Sequence, residues 1–160
     1  MSKKELKTNA MRMLDKLKIP YKYMTYECDE FISGVEIARQ NGLPYEEVYK
    51  TLVTAGKTGE HYVFVLPIKE ELDLKKAAKA VKEKSVEMLP VKEITKVTGY
   101  VRGGCTAIGM KKQFKTVIDE SAAGFEKIYV SGGKIGMQLQ LSPEDLKRAS
   151  GAEFGDIVQK

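Results

Sequence analysis

Apolar side chains recur every three or four positions in several stretches of this chain, which is the spacing of one buried helical face. The first such stretch covers 8–18, and Pro20 ends it. Ser33, Asp73 and Ser142 each precede a further stretch, where a short polar side chain caps the first helical turn. The pattern predicts helices over about 8–18, 34–41, 74–81, 91–97 and 143–150.

Runs rich in β-branched and aromatic residues lie between these helices and predict short strands. Two of the runs, 50–55 and 61–67, are joined by the glycine-containing stretch 56–60, which favours a hairpin of two central strands. Further strands are expected over 21–26, 85–88, 116–119, 127–131 and 137–141. Because strands and helices do not alternate regularly, we expect a mixed α/β fold with helices around a mixed sheet.

The length of 160 residues fits one domain, so we assign 1–160 to a single folding unit. Hydrophobic residues make up 42% of the chain, which is enough for a core. The longest apolar stretches, such as 62–66, are far shorter than the roughly 18 residues that span a bilayer. The N-terminus lacks the apolar segment of a secretory signal, so we expect a cytoplasmic protein with no membrane partner.

Histidine and cysteine are scarce, and their scarcity excludes several kinds of site. His61 is the one histidine in the sequence, so a three-histidine metal site cannot form, and we expect neither metal nor cofactor. The two cysteines, Cys28 and Cys105, do not make a disulfide framework or a zinc module. We expect free thiols, with Cys105 packed rather than nucleophilic and His61 exposed rather than catalytic.

The net charge of +5 favours a polyanionic partner such as RNA, although a merely soluble basic protein would carry the same excess. Two glycine-containing segments, 103–109 and 132–136, lack the spacing of dinucleotide-binding and P-loop motifs. A glycine pair can still bring backbone N–H groups to a ligand oxygen, and a plain turn is the alternative. Lys50 enters a strand that should be buried, either as a functional cation or as an edge lysine whose amine reaches water.

Six short motifs, in consistent order over nearly the whole chain, resemble the YbaK family. They are 7–12 (KTNAMR), 49–53 (YKTLV), 71–76 (ELDLKK), 98–104 (TGYVRGG), 111–112 (KK) and 129–134 (YVSGGK). That family is similar to the editing domain inserted in bacterial prolyl-tRNA synthetase, and its members are free-standing deacylases of mischarged tRNA. The resemblance implies an editing-domain-like fold, with a mixed, mostly antiparallel sheet surrounded by helices.

The resemblance also implies which residues act on the substrate. Lys50 would be the family's essential catalytic lysine, and Tyr26 would be a tyrosine that contacts the substrate. Gly103 and Gly104 would form a loop around the ester, with their N–H groups near the developing oxyanion. Ser131 would complete the pocket.

The loop after Gly104 departs from the family pattern GGxSPxG, because Thr106 and Ala107 replace its serine and proline. Thr106 keeps a hydroxyl for substrate binding, while loss of the proline leaves the loop less rigid. The related alanyl-specific deacylases carry an asparagine after the lysine and a histidine in the pocket. Thr51 follows Lys50 here, which favours the cysteinyl branch.

The implied activity is trans-editing of mischarged Cys-tRNA(Pro), with Cys-tRNA(Cys) as a second substrate, through attack of the cysteinyl thiol on its own ester. The alternatives are a deacylase of alanyl- or seryl-tRNA and a non-catalytic tRNA-binding module. Lys111, Lys112 and Lys115 would meet the phosphates of the acceptor stem. The resemblance also suggests docking on prolyl-tRNA synthetase, and we expect a monomer because no large apolar stripe is left over.

Overall fold

A computed structural model describes residues 7–26 and 34–159. Ser33, the predicted cap of the second helix, and Cys28 lie outside the described residues. The helices of the described part are α1 (Asn9–Lys16), α2 (Gly34–Asn41), α3 (Leu74–Ala80), α4 (Ile94–Thr98) and α5 (Pro143–Ser150). Its strands are β1 (Lys22–Thr25), β2 (Tyr49–Gly56), β3 (His61–Pro67), β4 (Val86–Met88), β5 (Lys115–Asp119), β6 (Ile128–Ser131), β7 (Met137–Leu141) and β8 (Glu153–Gly155).

Polar caps set the starts of three helices, two of them at the predicted residues. The Asp73 carboxylate accepts the N–H groups of Lys75 and Lys76, and the Ser142 hydroxyl accepts that of Asp145. Thr8 caps α1 in the same way. Each cap satisfies an N–H group that the helix itself leaves unpaired.

The mixed α/β class is confirmed, and the strands divide between two sheets. The smaller sheet has the order β1-β7-β6 and is antiparallel throughout. The larger has the order β4-β2-β3-β5-β8, in which β2 pairs antiparallel with β3 and β4. The β3–β5 and β5–β8 pairs are parallel. Antiparallel pairing therefore predominates, as expected, and β2 and β3 lie inside the larger sheet.

The two faces of β3 pack into two different hydrophobic clusters. Val63 and Val65 belong to a cluster that draws on both sheets, α1 and α5, whereas Phe64 and Leu66 belong to a cluster beneath α3. All four side chains are fully buried. Burying one side chain of this size contributes about 1.5–3 kcal/mol, so β3 is a firm support for its hairpin partner β2.

Three features differ from the sequence-based expectations. The short strand β8 was not predicted, and 91–97 begins as a 3-10 turn (Val91–Glu93) before α4. Leu74, expected on the buried face of its helix, is 42% exposed because it lies in the first turn. Among the described residues, no helix is long and apolar enough to cross a membrane.

Candidate functional site

A cavity of about 370 Å³ lies beside β2 and is bounded by five parts of the chain. Its walls come from β2, the first residues of α2, the end of β4 with the 3-10 turn after it, the loop after α4, and the ends of β6 and β7 that face one another. Lys50, Gly103 and Ser131, three of the predicted site residues, all line it. The structure thus brings together residues that are far apart in sequence.

Lys50 supplies a positive charge to this cavity from the second position of β2. It is paired across the hairpin with Leu66, and its side chain is only partly exposed. Burial lowers the pKa of the Lys50 amine, while the carboxylates of Glu71 and Glu70 act in the opposite direction. A poorly hydrated ammonium group interacts strongly with an anionic oxygen, which is what ester cleavage generates.

The glycine pair divides between two roles. Gly103 lines the cavity with a φ of 92°, which glycine adopts without strain. The Gly104 N–H instead donates to the Val101 carbonyl at 3.0 Å. A Cβ at Gly104 would lie 2.6 Å from the Lys134 Cα, so a close backbone approach explains this glycine. Gly103 is therefore the residue of the pair whose backbone faces the cavity.

Ser131 and Gln138 stand opposite each other across β6 and β7, and both line the cavity. Gln138 is 3% exposed, and its Oε1 accepts no hydrogen bond from the described residues. Sequence reasoning missed Gln138. The available signal was a polar residue between two apolar ones, Met137 and Leu139, in the middle strand of a sheet.

Cys105 lines the cavity as a packed thiol, as expected. Its Sγ contacts the Thr98 hydroxyl at 3.9 Å, and burial raises the pKa of the thiol to about 11. The thiol therefore stays protonated near neutral pH. Only a thiolate is a good nucleophile, so Cys105 is unsuited to attack an ester.

Two predicted substrate-binding residues do not line the cavity. Tyr26 follows β1, and its backbone N–H donates to the Gly136 carbonyl. Thr106 is fully buried behind the loop, and its Oγ1 has no partner among the described residues. His61 is partly exposed at the start of β3, where its ring meets the edge of Phe114, so it too lies outside the cavity walls.

The three lysines expected to meet RNA phosphates are all exposed. Lys111 donates to the Lys96 carbonyl, and the Lys112 amine lies 5.7 Å from the centre of the Phe114 ring. Lys115 begins β5. Over the described part of the chain, no three metal-ligating side chains come together.

Comparison with known proteins identifies the family. The model of the aminoacyl-tRNA editing domain matches residues 33–149. The chain belongs to this family. A curated relative from Enterococcus faecalis, named "Putative Cys-tRNA(Pro)/Cys-tRNA(Cys) deacylase EbsC", is 45% identical over 159 residues, which are 99% of this editing-domain chain and 97% of the relative. The family resemblance seen in the sequence motifs is confirmed.

Solved structures share the fold of this editing domain. One, described as a "putative trans-editing enzyme for prolyl tRNA synthetase", has a TM-score of 0.81 at 23% identity and covers 98% of this chain and 100% of its own. Another, the hypothetical protein APE2540, has a TM-score of 0.84 at 22% identity and covers 94% and 99%. At these identities the likeness establishes the fold alone.

Proposed function

We propose that this editing-domain protein is an aminoacyl-tRNA deacylase that hydrolyses Cys-tRNA(Pro) and also Cys-tRNA(Cys). The observation that carries the proposal is Lys50, a half-buried cation in a cavity that also presents the Gly103 backbone and Ser131. The Enterococcus faecalis relative, similar over nearly the whole of both chains, bears the name of a deacylase with these two substrates.

The substrate supplies the nucleophile in this proposal. Among the described residues that line the cavity there is no histidine, and the Cys105 thiol is protonated near neutral pH. The thiol of a bound cysteinyl group has an ordinary pKa of about 8.5 and is partly ionised. Held against its own carbonyl, it gains several kcal/mol from enforced proximity.

The bond changes are those of an acyl transfer within the cysteinyl group. The substrate sulfur bonds to the ester carbonyl carbon, the bond from that carbon to the ribose oxygen breaks, and the ribose oxygen takes up the proton that the thiol lost. Free tRNA leaves with its hydroxyl restored, and water opens the cyclic thioester to cysteine. Lys50 fixes the terminal ribose or phosphate by its charge, and the Gly103 N–H faces the developing oxyanion.

The nucleic acid is held by charge rather than by base reading. Lys111, Lys112 and Lys115 follow the glycine loop and are exposed, which supports a contact with acceptor-stem phosphates. We propose that the protein works as a monomer in the cytoplasm and gains its selectivity for tRNA(Pro) by docking on prolyl-tRNA synthetase. The free protein should then discriminate little between tRNA bodies.

The test is deacylation of cysteinyl-, alanyl- and seryl-tRNA(Pro) by the wild type, Lys50→Ala and Lys50→Met. Lys57→Ala, which removes an exposed lysine from the turn of the same hairpin, is the matched control. We expect rapid loss of the cysteinyl ester with the wild type and the control, and loss of activity with both Lys50 variants. Full activity of Lys50→Ala would refute the assigned role of the lysine.

Thermal unfolding separates this loss of activity from a loss of folding. Because burial lowers the pKa of Lys50 in the folded state, its charged form costs stability at every pH below that pKa, neutral pH included. Lys50→Met keeps the aliphatic stem and removes the charge, so it should unfold at the wild-type temperature or above. Hydrolysis of alanyl or seryl esters instead would assign another editing branch. Salt-sensitive tRNA binding without hydrolysis would indicate a binding module.

A further inference from the structure

The cavity lies against the edge of β2 rather than against one of its faces. Five successive residues, 49–53, all line it. Side chains alternate between the two faces of a strand, so a cavity on one face would be lined by every second residue. A run of consecutive residues indicates that the backbone edge itself faces the cavity.

Hydrogen bonds around the hairpin show which residues of β2 point their backbone groups to that edge. The Ile68 N–H donates to the Val48 carbonyl, and the Gly56 N–H donates to the Glu60 carbonyl. In an antiparallel ladder, residues that bond to one neighbour alternate with residues that face away from it. Even-numbered residues of β2 therefore bond to β3, and odd-numbered ones face the other side.

The outer side of β2 is only partly covered. β4 pairs with it over 54–56, and the Leu89 N–H donates to the Val53 carbonyl. The chain then turns away at Pro90 into a 3-10 turn. The next outward residue, Thr51, has no partner strand within the described residues, although its backbone N–H and carbonyl face a cavity wall that it lines.

We propose that the Thr51 backbone binds the aminoacyl group of the substrate as though it were one residue of an added strand. Two directly opposed residues of an antiparallel pair exchange two hydrogen bonds, each through its own N–H and C=O. The Thr51 N–H donates to the ester carbonyl oxygen, and the α-ammonium group of the substrate donates to the Thr51 carbonyl. The inference rests on the proposed function and names the contact that orients its substrate.

This contact also supplies a hydrogen-bond donor that the glycine loop lacks. The Gly104 N–H is engaged by the Val101 carbonyl, so of the pair Gly103 faces the cavity. Ester cleavage places negative charge on the carbonyl oxygen, and two fixed donors stabilise it better than one. Thr51 follows Lys50 directly, so the ammonium group and the second donor come from adjacent residues of one supported strand.

The experiment replaces the amide of Thr51 by an ester linkage, which removes the N–H and keeps the side chain. Thr51→Val, which removes the hydroxyl and keeps the N–H, is the matched control. Loss of one oxyanion donor lowers kcat by about 100- to 1,000-fold, and we expect that loss on Cys-tRNA(Pro). Thr51→Val should stay within about threefold of the wild type, below the roughly 10-fold that the smallest substrate contacts are worth.

Thr51→Pro is the second variant if the ester linkage impairs folding. Proline is tolerated in an edge strand where its missing N–H would face outward, and thermal unfolding checks that the fold is kept. A folded ester or proline variant with wild-type kcat would overturn the inference while leaving the deacylase assignment intact. A wild type that hydrolyses no ester would overturn the proposed function, and the inference with it.

Discussion

Gly104→Ala is the substitution whose effect the structure defines most closely. The sequence suggested that this glycine lets a ligand approach, whereas the structure shows that its neighbour is the Lys134 backbone. An added Cβ would lie 2.6 Å from the Lys134 Cα, 2.7 Å from its carbonyl carbon and 2.8 Å from its nitrogen. Backbone atoms cannot rotate away as a side chain does, so the two loops must separate.

Overpacking of this kind typically costs 1–3 kcal/mol, a rough estimate for a buried site. In a domain of this size about 1 kcal/mol corresponds to a shift of about 2–4 °C in the unfolding temperature. We therefore expect Gly104→Ala to lower that temperature by about 2–12 °C. The assay is thermal unfolding followed by circular dichroism.

Gly124→Ala is the matched control, because a Cβ there would meet nothing within 4 Å and the residue has no positive φ. Its unfolding temperature should stay close to that of the wild type. Equal unfolding temperatures for Gly104→Ala and the wild type would refute the packing account of this glycine. The ligand-facing interpretation of Gly104 would then regain its place.

Two further predictions concern the thiol and the surface charges. Cys105→Ala should keep most of the deacylase activity, because the buried thiol has a pKa of about 11; a loss as large as that of Lys50→Ala would contradict the substrate-assisted mechanism. Lys112→Ala combined with Lys115→Ala should weaken tRNA binding and flatten its dependence on salt by about 0.7–0.9 logarithmic units per lost phosphate contact; an unchanged slope would place the tRNA on another surface.

Local chemistry made most of the elements predictable from the sequence. The hairpin of β2 and β3 follows from two β-rich runs around a glycine-containing turn, and it forms with the register expected of a hairpin. The starts of α3 and α5 follow from Asp73 and Ser142, whose side chains cap them. Such features depend on residues only a few positions apart.

The division into two sheets depends on pairs that are distant along the chain. Lys22 pairs with Gln140, and no local pattern specifies that partnership. β8 pairs with β5 over three residues, too short a stretch for any periodicity to appear. Tertiary packing, rather than propensity, decided both features.

The site was predictable in part for the same reason. Lys50, Gly103 and Ser131 line one cavity, whereas Tyr26, Gly104 and Thr106 do not. Motif spacing identifies a loop but not which of its atoms face the ligand. The bare edge at Thr51 depends on where β4 ends, and Gln138 depends on strands that cover both of its sides.

The most direct test of the account is the ratio of kcat/KM for cysteinyl-tRNA(Pro) to that for seryl-tRNA(Pro), measured with the wild-type protein. The two esters differ in one atom, sulfur against oxygen, so contacts alone would separate them by roughly 10- to 200-fold. If the substrate thiol is the nucleophile, the ratio should exceed that range, and Lys50→Ala should abolish hydrolysis of the cysteinyl ester. Comparable hydrolysis of both esters would contradict the account.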